Sequence, residues 1–139
     1  MRRAAEWRGA GAAALGLNGT VDAQTLDRVL SGQHRATGEA LGRVLRARVP
    51  GFDLTCLAPK SVSVLFGVGD EKLRAVIRAA HDRAVLDALG YMEREAAVTR
   101  RGPGGVDPIA GNGLVAAAFR HRTSGPAIRS STRMSSWPT

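Results

Sequence analysis

Two stretches of this chain alternate with a period of two, and they constrain its fold more than anything else in it. From Phe52 to Leu57, Phe52, Leu54 and Cys56 fall on one face and Asp53, Thr55 and Leu57 on the other. From Leu114 to Arg122, Val115, Ala117, Phe119 and His121 share one face, and Leu114, Ala116, Ala118, Arg120 and Arg122 share the other. Side chains alternate in this way across a strand, so both stretches read as strands. Each strand presents one chemically able side chain, Asp53 or His121, and a sheet could bring the two side by side. A carboxylate that accepts from one imidazole nitrogen fixes the tautomer and frees the other nitrogen for a metal. A partly buried histidine satisfied by any nearby acid is the plainer account of the same pattern.

Helical signals occupy the space between. Thr20 to Asp22 offers capping chemistry, and Leu26, Val29 and Leu30 recur at helical spacing before Gly32. Leu41, Val44 and Leu45 suggest a second short helix over 39–48, closed by Pro50 and Gly51. Pro59 can open a helix, where its missing N–H costs nothing, with Val62, Leu65 and Phe66 following; Val62 and Val64 fit a strand equally well. Residues 71–89 form the clearest helix, Leu73, Val76, Ile77, Ala80, Ala84 and Ala88 lining one side while Arg74, Arg78, Asp82 and Arg83 face outward. Residues 1–19 are rich in Gly and Ala without clear periodicity and read as a loose lead-in. Residues 98–113 are turn-forming, with one short strand on the way and a hairpin turn at Gly102 to Gly105. From Gly125 to Thr139 the chain is serine-rich, with no acid and no period, and this tail does not read as folded protein.

With 139 residues the chain fits one domain. It carries 20 basic and 12 acidic residues, a net charge of +8, which suits polyanionic partners. Only Lys60 and Lys72 are lysines; the arginine, alanine and glycine content equally fits a GC-rich genome. Aromatic residues make up 4%, too few for a surface that stacks successive bases. The single Cys56 excludes an internal disulfide and a four-cysteine zinc site and suits a reducing compartment. No apolar run reaches the roughly 20 residues of a membrane span, and Glu6 and Arg8 interrupt what would otherwise mimic a signal peptide. A cytoplasmic location is the expectation.

Few other residues invite chemistry. Lys60 and Ser61 at a helix start could face a phosphate, but no GxxxxGK[ST] pattern exists. Gly102 to Gly105 lacks the spacing of a dinucleotide fingerprint. Arg100, Arg101, Arg120 and Arg122 could form a basic rim near His121, holding a nucleic-acid strand by its phosphates without reading sequence; a solvated basic face is the alternative. His34 and His81 read as structural or solvated, and Tyr91, the single tyrosine, as packing.

The stretch Gly51-Phe52-Asp53-Leu54-Thr55-Cys56-Leu57-Ala58-Pro59-Lys60-Ser61-Val62-Ser63-Val64-Leu65 resembles conjugative relaxases of the TrwC/TraI type, the MobF family. The resemblance continues through Ala80-His81, Ala84-Val85 and Thr99-Arg100, and through Gly113-Leu114-Val115-Ala116-Ala117-Ala118-Phe119-Arg120-His121-Arg122-Thr123-Ser124. Trp7 to Gly11 and Leu15 to Gly19 resemble the family too, so the likeness covers nearly all of residues 6–124. It implies an α/β (α+β) fold of the histidine-hydrophobe-histidine endonuclease kind, an antiparallel sheet with packed helices, here incomplete. It further implies DNA nicking in plasmid mobilisation: a tyrosine cuts one strand of single-stranded DNA at a transfer origin and stays joined to its 5′ end. A divalent metal, Mg or similar, held by three histidines polarises the phosphate as a Lewis acid. By motif, His121 matches the first metal histidine and Asp53 the aspartate that orients a metal histidine or assists the nucleophile. A helicase domain often accompanies the family's relaxase.

The departures shape the expectation as much as the match. No tyrosine precedes Tyr91, and the family's His-x-His strand falls where this chain has Thr132, Arg133 and Met134. A one-base shift near codon 124 permits Arg-Ala-Gly-Asp-Pro-Gln-Leu-His-Thr-His-Val-Val-Val-Ala-Asn, with two histidines over positions 132 and 134. The expectation is therefore a partial relaxase domain over 1–124 and an aberrant, disordered tail over 125–139. Such a chain would be marginally folded, truncated at its N-terminus and inactive, and would not bind the family's metal. A small basic, non-enzymatic module binding single-stranded DNA through Lys60, Arg100, Arg101, Arg120 and Arg122 is the alternative.

Overall fold

A computed structural model describes residues 5–41, 49–101, 107–122 and 128–136. The chain opens with β1 (Glu6–Arg8), α1 (Ala10–Ala14) and α2 (Ala23–Ser31), then runs through β2 (Phe52–Leu57), α3 (Lys60–Val68) and the long α4 (Glu71–Ala96). A small hairpin follows, β3 (Val98–Arg101) with β4 (Asp107–Ala110), and then β5 (Leu114–Arg122) and β6 (Ile128–Ser136). The main sheet has the order β1-β5-β6-β2, every neighbouring pair antiparallel, and β3-β4 form a separate two-stranded sheet.

Local chemistry accounts for most of these elements. The Asp22 carboxylate accepts from the Thr25 amide at 2.7 Å, and Gly32 ends α2 in the left-handed conformation, φ 84°. Hydrogen bonds from Thr25 hold the Asp22 carboxyl below its ordinary value. Pro59 stands at the start of α3, which settles the helix-or-strand ambiguity of Val62 and Val64 in favour of helix. Asp70 accepts from the Leu73 amide at 2.8 Å, a cap worth about 1 kcal/mol, and starts α4. Arg74 reaches back from α4 to the Phe66 and Gly67 carbonyls at the end of α3, both at 3.0 Å. The Arg78 guanidinium lies 5.7 Å from the centre of the Phe66 ring.

The core lies in layers on both faces of the sheet. On one, Trp7, Val115 and Ala117 pack with Ala12, Leu17 and Val29 from α1, α2 and the loop between them. On the other, Leu114 and Ala116 pack with Leu89 and Ala97, joined by Leu54 and Met92. Phe66 and Ile77 join α3 to α4.

Several expectations are corrected. Residues 1–19 contain β1 and α1 rather than a loose lead-in. Trp7 pairs with Ala117 and is buried, so tertiary contact orders a segment with no period of its own. Helix α4 extends to Ala96, through Gly90 and Tyr91; Tyr91 is 60% exposed rather than packed. Its core side runs through Ile77 and Leu89; of the expected inner face, Leu73, Val76, Ala80, Ala84 and Ala88 are exposed, while Arg74, Arg78 and Asp82, expected outside, are partly buried. The 98–110 region holds two strands where one was expected; the hairpin turn assigned to Gly102–Gly105 lies outside the described residues. Residues 39–41 are not helical, Ala40 forming an isolated bridge to Gln33, and the rest of the 39–48 segment, through 48, is likewise outside them. Most consequentially, residues 128–136 of the expected tail form β6, a central strand. Two flanking strands supply its backbone partners, which can make a strand of a sequence with no alternation.

Candidate nucleic-acid interface

Asp53 and His121 lie in the same sheet, and β6 runs between their strands. Asp53 is exposed on β2, directly opposite Arg133. His121 on β5 stands opposite Arg129, which in turn stands opposite Leu57. The two positions are thus two strand spacings and four residues apart, about 16 Å at a spacing of 4.8 Å and a rise of 3.3 Å. The strand expected to be unfolded is the physical reason they are not neighbours.

The five expected basic contacts divide between places. Lys60 is exposed at the first residue of α3, just beyond the end of β2. Arg120 and Arg122 stand in the last positions of β5, opposite Ser130 and Ile128. Arg120 is held by the Asp82 carboxylate of α4, so that its charge ties sheet to helix. Arg100 and Arg101 belong to the separate hairpin, whose base is closed by the Gly111 amide donating to the Ala97 carbonyl at 2.8 Å. That base adjoins the beginning of β5, whereas His121 stands near its end.

Next to Asp82, His81 is partly buried, and its imidazole is pushed below the usual histidine value. Desolvation is the main cause; the Arg120 charge adds to it, and Asp82 opposes it. His34 closes a turn, its Nδ1 3.4 Å from the Thr37 hydroxyl.

One residue that positions β5 has no counterpart among the expectations. Glu93, on α4, accepts with a single carboxylate oxygen from the Ala10 amide at 2.7 Å and from the Leu114 amide at 3.0 Å. It joins the start of α1 to the start of the strand that carries His121. Glycine is required around this junction. A β-carbon on Gly9, at φ 93°, would lie 2.1 Å from the Leu114 carbonyl oxygen, and Gly113 has φ 105°. The paired glycines Gly9 and Gly113 were the available signal; the role of Glu93 had none.

The donor set does not fit a metal held by three histidines. Among the described residues no group of three or more His, Cys, Asp or Glu could hold a metal ion. On β6, Thr132 stands opposite Leu54 and Ala118, and Met134 opposite Phe52 and Ala116. No helix among the described residues is long and apolar enough to cross a membrane.

The arrangement is an antiparallel sheet with helices on both faces, with Asp53 and His121 on the two strands flanking β6. A family model described as TrwC relaxase matches residues 1–127. The multifunctional conjugation protein TraI of Escherichia coli K12 is 36% identical over 121 residues, 85% of this chain and 7% of TraI. Among solved structures, the metal-free relaxase TrwC in complex with OriT DNA superposes with a TM-score of 0.75 at 34% identity, covering 94% of this chain and 48% of that one. The metal-bound TrwC–OriT complex gives 0.73 at 36%, covering 94% and 46%. TrwC with a 27-mer comprising the recognition hairpin and the cleavage site gives 0.75 at 34%, covering 94% and 48%. The chain belongs to the TrwC relaxase family. It spans about half the length of the solved TrwC chains it matches and a small part of TraI.

Proposed function

We propose that this chain is a relaxase fragment that engages single-stranded DNA of a plasmid transfer origin and does not itself nick it. The observation that carries the reading is β6. The likeness to TrwC bound to OriT DNA extends over nearly the whole chain. Yet the central strand beside His121 offers Thr132 and Met134 where the resemblance calls for two metal histidines. Tyr91, the one tyrosine within residues 1–139, stands exposed on α4, and the tyrosine chemistry of the family has no counterpart placed beside Asp53 or His121. What remains is binding: a basic chain whose phosphate contacts position a strand without metal. In this reading Asp53 and His121 keep the places of site residues without the partners that would make them catalytic.

The family match ends at residue 127, immediately before β6. This supports the reading that a one-base shift near codon 124 replaced a His-x-His strand by the present one, with β6 standing in its place.

The test replaces residues 125–139 by the shifted-frame peptide and titrates Mn2+ by calorimetry. The exchanged chain is expected to bind the ion and the present chain not to; equal binding by both would overturn the frameshift reading. In parallel, anisotropy of a labelled single-stranded oligonucleotide should report binding by the present chain. A supercoiled plasmid with a transfer origin should stay closed in the same mixture plus Mg2+; sequence-specific nicking there would refute the proposal.

A further inference from the structure

We infer that the free edge of β2 is a self-association surface, on which β2 of a second copy of this chain pairs antiparallel and extends the main sheet across a twofold axis. The two edges of that sheet are finished differently. At the β1 edge the strand is three residues long, and the 19–21 segment lies along it. The Trp7 amide donates to the Gly19 carbonyl at 3.0 Å, the Val21 amide donates to the Ala5 carbonyl at 2.8 Å, and Glu6 and Thr20 form a bridge. At the other edge, β2 is six residues long and pairs with β6 alone. No other backbone hydrogen bond joins it among the described residues. An edge strand left this way presents unpaired N–H and C=O groups to any strand that can lie beside it. The usual protections are missing: β2 has no lysine, no proline and no bulge in its register with β6, and Phe52 and Leu57 are 68% and 61% exposed.

The pattern of β2 suits a second copy of itself. Its register puts Phe52, Leu54 and Cys56 on the face that carries Leu114 and Ala116, toward α4, and Asp53, Thr55 and Leu57 on the other. A twofold axis between antiparallel edges runs through the sheet and keeps each face continuous, so residues facing each other across it come from the same face. Two registers pair most of the strand. Centred on Thr55, the Asp53 carboxylate faces Leu57 of the second copy, and Phe52 passes the end of that strand. Centred on Leu54, Phe52 faces Cys56, Leu54 faces Leu54, and Asp53 faces Thr55. The apolar side chains then form one patch on the α4 side, a hydroxyl faces each carboxylate on the other, and no like charges meet. Cross-strand pairs of these kinds are what stabilise a sheet. The contact is isologous, so it closes at the dimer. A net charge of +8 on each copy opposes association, and a strand edge buries little area, so the dimer is a weak one that salt strengthens.

The experiment is sedimentation equilibrium of the full chain from low micromolar to near-millimolar concentration, at low and moderate salt and without nucleic acid. A thiol reductant is present throughout, so that Cys56 cannot cross-link the copies. The mass is expected to rise from monomer to dimer and stop there, and the association constant to rise with salt, opposite to the direction in which salt drives DNA binding. Phe52→Lys should abolish the dimer across that range, as a lysine on an edge strand blocks pairing. Thr55→Asp sets carboxylates against each other at positions 53 and 55 and should weaken the dimer, whereas Thr55→Lys sets an ammonium against Asp53 and should strengthen it. Val68→Lys, on α3 and 78% exposed, should leave it unchanged. Thermal melts in dilute solution, where the chain is monomeric, separate lost pairing from unfolding, and the two Thr55 variants keep the test valid if Phe52→Lys unfolds. A monomer at every concentration would overturn the inference and leave the edge to a strand of another protein. A dimer kept in Phe52→Lys and lost in Val68→Lys would overturn it in favour of a contact through α3. Equal weakening by Thr55→Asp and Thr55→Lys would overturn the pairing centred on Leu54, and growth past the dimer would overturn the closed twofold contact.

Discussion

The two halves of the main sheet are built to opposite ends. On the β1–β5 side, Trp7, Leu114, Val115, Ala116 and Ala117 are all buried, with helices against both faces. On the β2 side, Phe52 is 68% exposed and Leu57 61%, and Asp53 and Thr55 face solvent as well. Helices α1 and α2 cover one half of a face and stop short of the other. The covered half is where the fold's stability is held, and the open half carries the exposed Asp53 and leads on to the exposed Lys60. Substitutions should therefore divide in kind: losses of stability on one side, losses of binding on the other.

Trp7→Ala tests that division hardest. It removes the largest side chain of the covered half from a strand of three residues, and large-to-small changes of this kind cost about 3–5 kcal/mol. Thermal unfolding should show near-complete loss of the folded state. Phe52→Ala on the open half should cost less than about 0.5 kcal/mol, as exposed substitutions do. Equal losses at the two positions would erase the distinction between the halves.

Glu93→Ala comes next. It orphans the Ala10 and Leu114 amides together, and with each unsatisfied donor costing about 1 kcal/mol where partly wet, a loss of about 2 kcal/mol is expected by denaturant titration. Glu93→Gln keeps an acceptor oxygen and should recover most of it. Limited proteolysis should show cleavage near α1 first in the alanine variant, since the carboxylate ties the first residue of α1 to the first residue of β5.

How much of this is legible in the sequence follows from the same contrast. Strands β2 and β5 are readable to the residue, because six and nine positions of alternation leave no competing period. The beginnings of α2, α3 and α4 are readable from Asp22, Pro59 and Asp70 or their neighbours, because capping is local chemistry. Strand β1 is not readable, since three residues carry no period and Trp7 is ordered by Ala117, more than a hundred residues away. Strand β6 looks unfolded in sequence because its Ser, Thr and Arg residues have no alternation; its strand character comes from β5 and β2 on either side. At the site, Asp53 and His121 stand out as types in strands, but their separation depends on β6 and is hidden with it. Glu93 is invisible because its partners are backbone amides, which no side-chain pattern announces.

Arg120→Ala asks whether the end of β5 belongs to the covered half or to the open end. The pairing with Asp82 places it with the former, and a partly exposed ion pair is worth about 1 kcal/mol at most. Melting temperature should fall by a few degrees at most, while the salt slope of DNA binding stays where it was. A changed slope with unchanged stability would move Arg120 across to the binding end.

The smallest effect concerns His81, on α4 beside that ion pair. Burial and the Arg120 charge hold its folded-state value below 6.5, so the folded chain favours the neutral ring. A group whose value is lowered on folding contributes stability that is fully present above its unfolded value and is lost as pH falls through the folded one. Stability should therefore be flat above about pH 7 and decline as acidification passes below 6.5, before the carboxylates begin to titrate. His81→Gln should remove that early decline and leave the later acid loss, to which Asp22 contributes as its hydrogen-bonded carboxylate is protonated. Melting temperature between about pH 7.5 and 5 in the two chains reads the difference directly. Because the Arg120 charge lowers the His81 value, Arg120→Ala should bring that value closer to the unfolded one and make the decline shallower. If the decline keeps its depth in Arg120→Ala, the Arg120 charge does not act on the His81 ring and burial alone lowers its value.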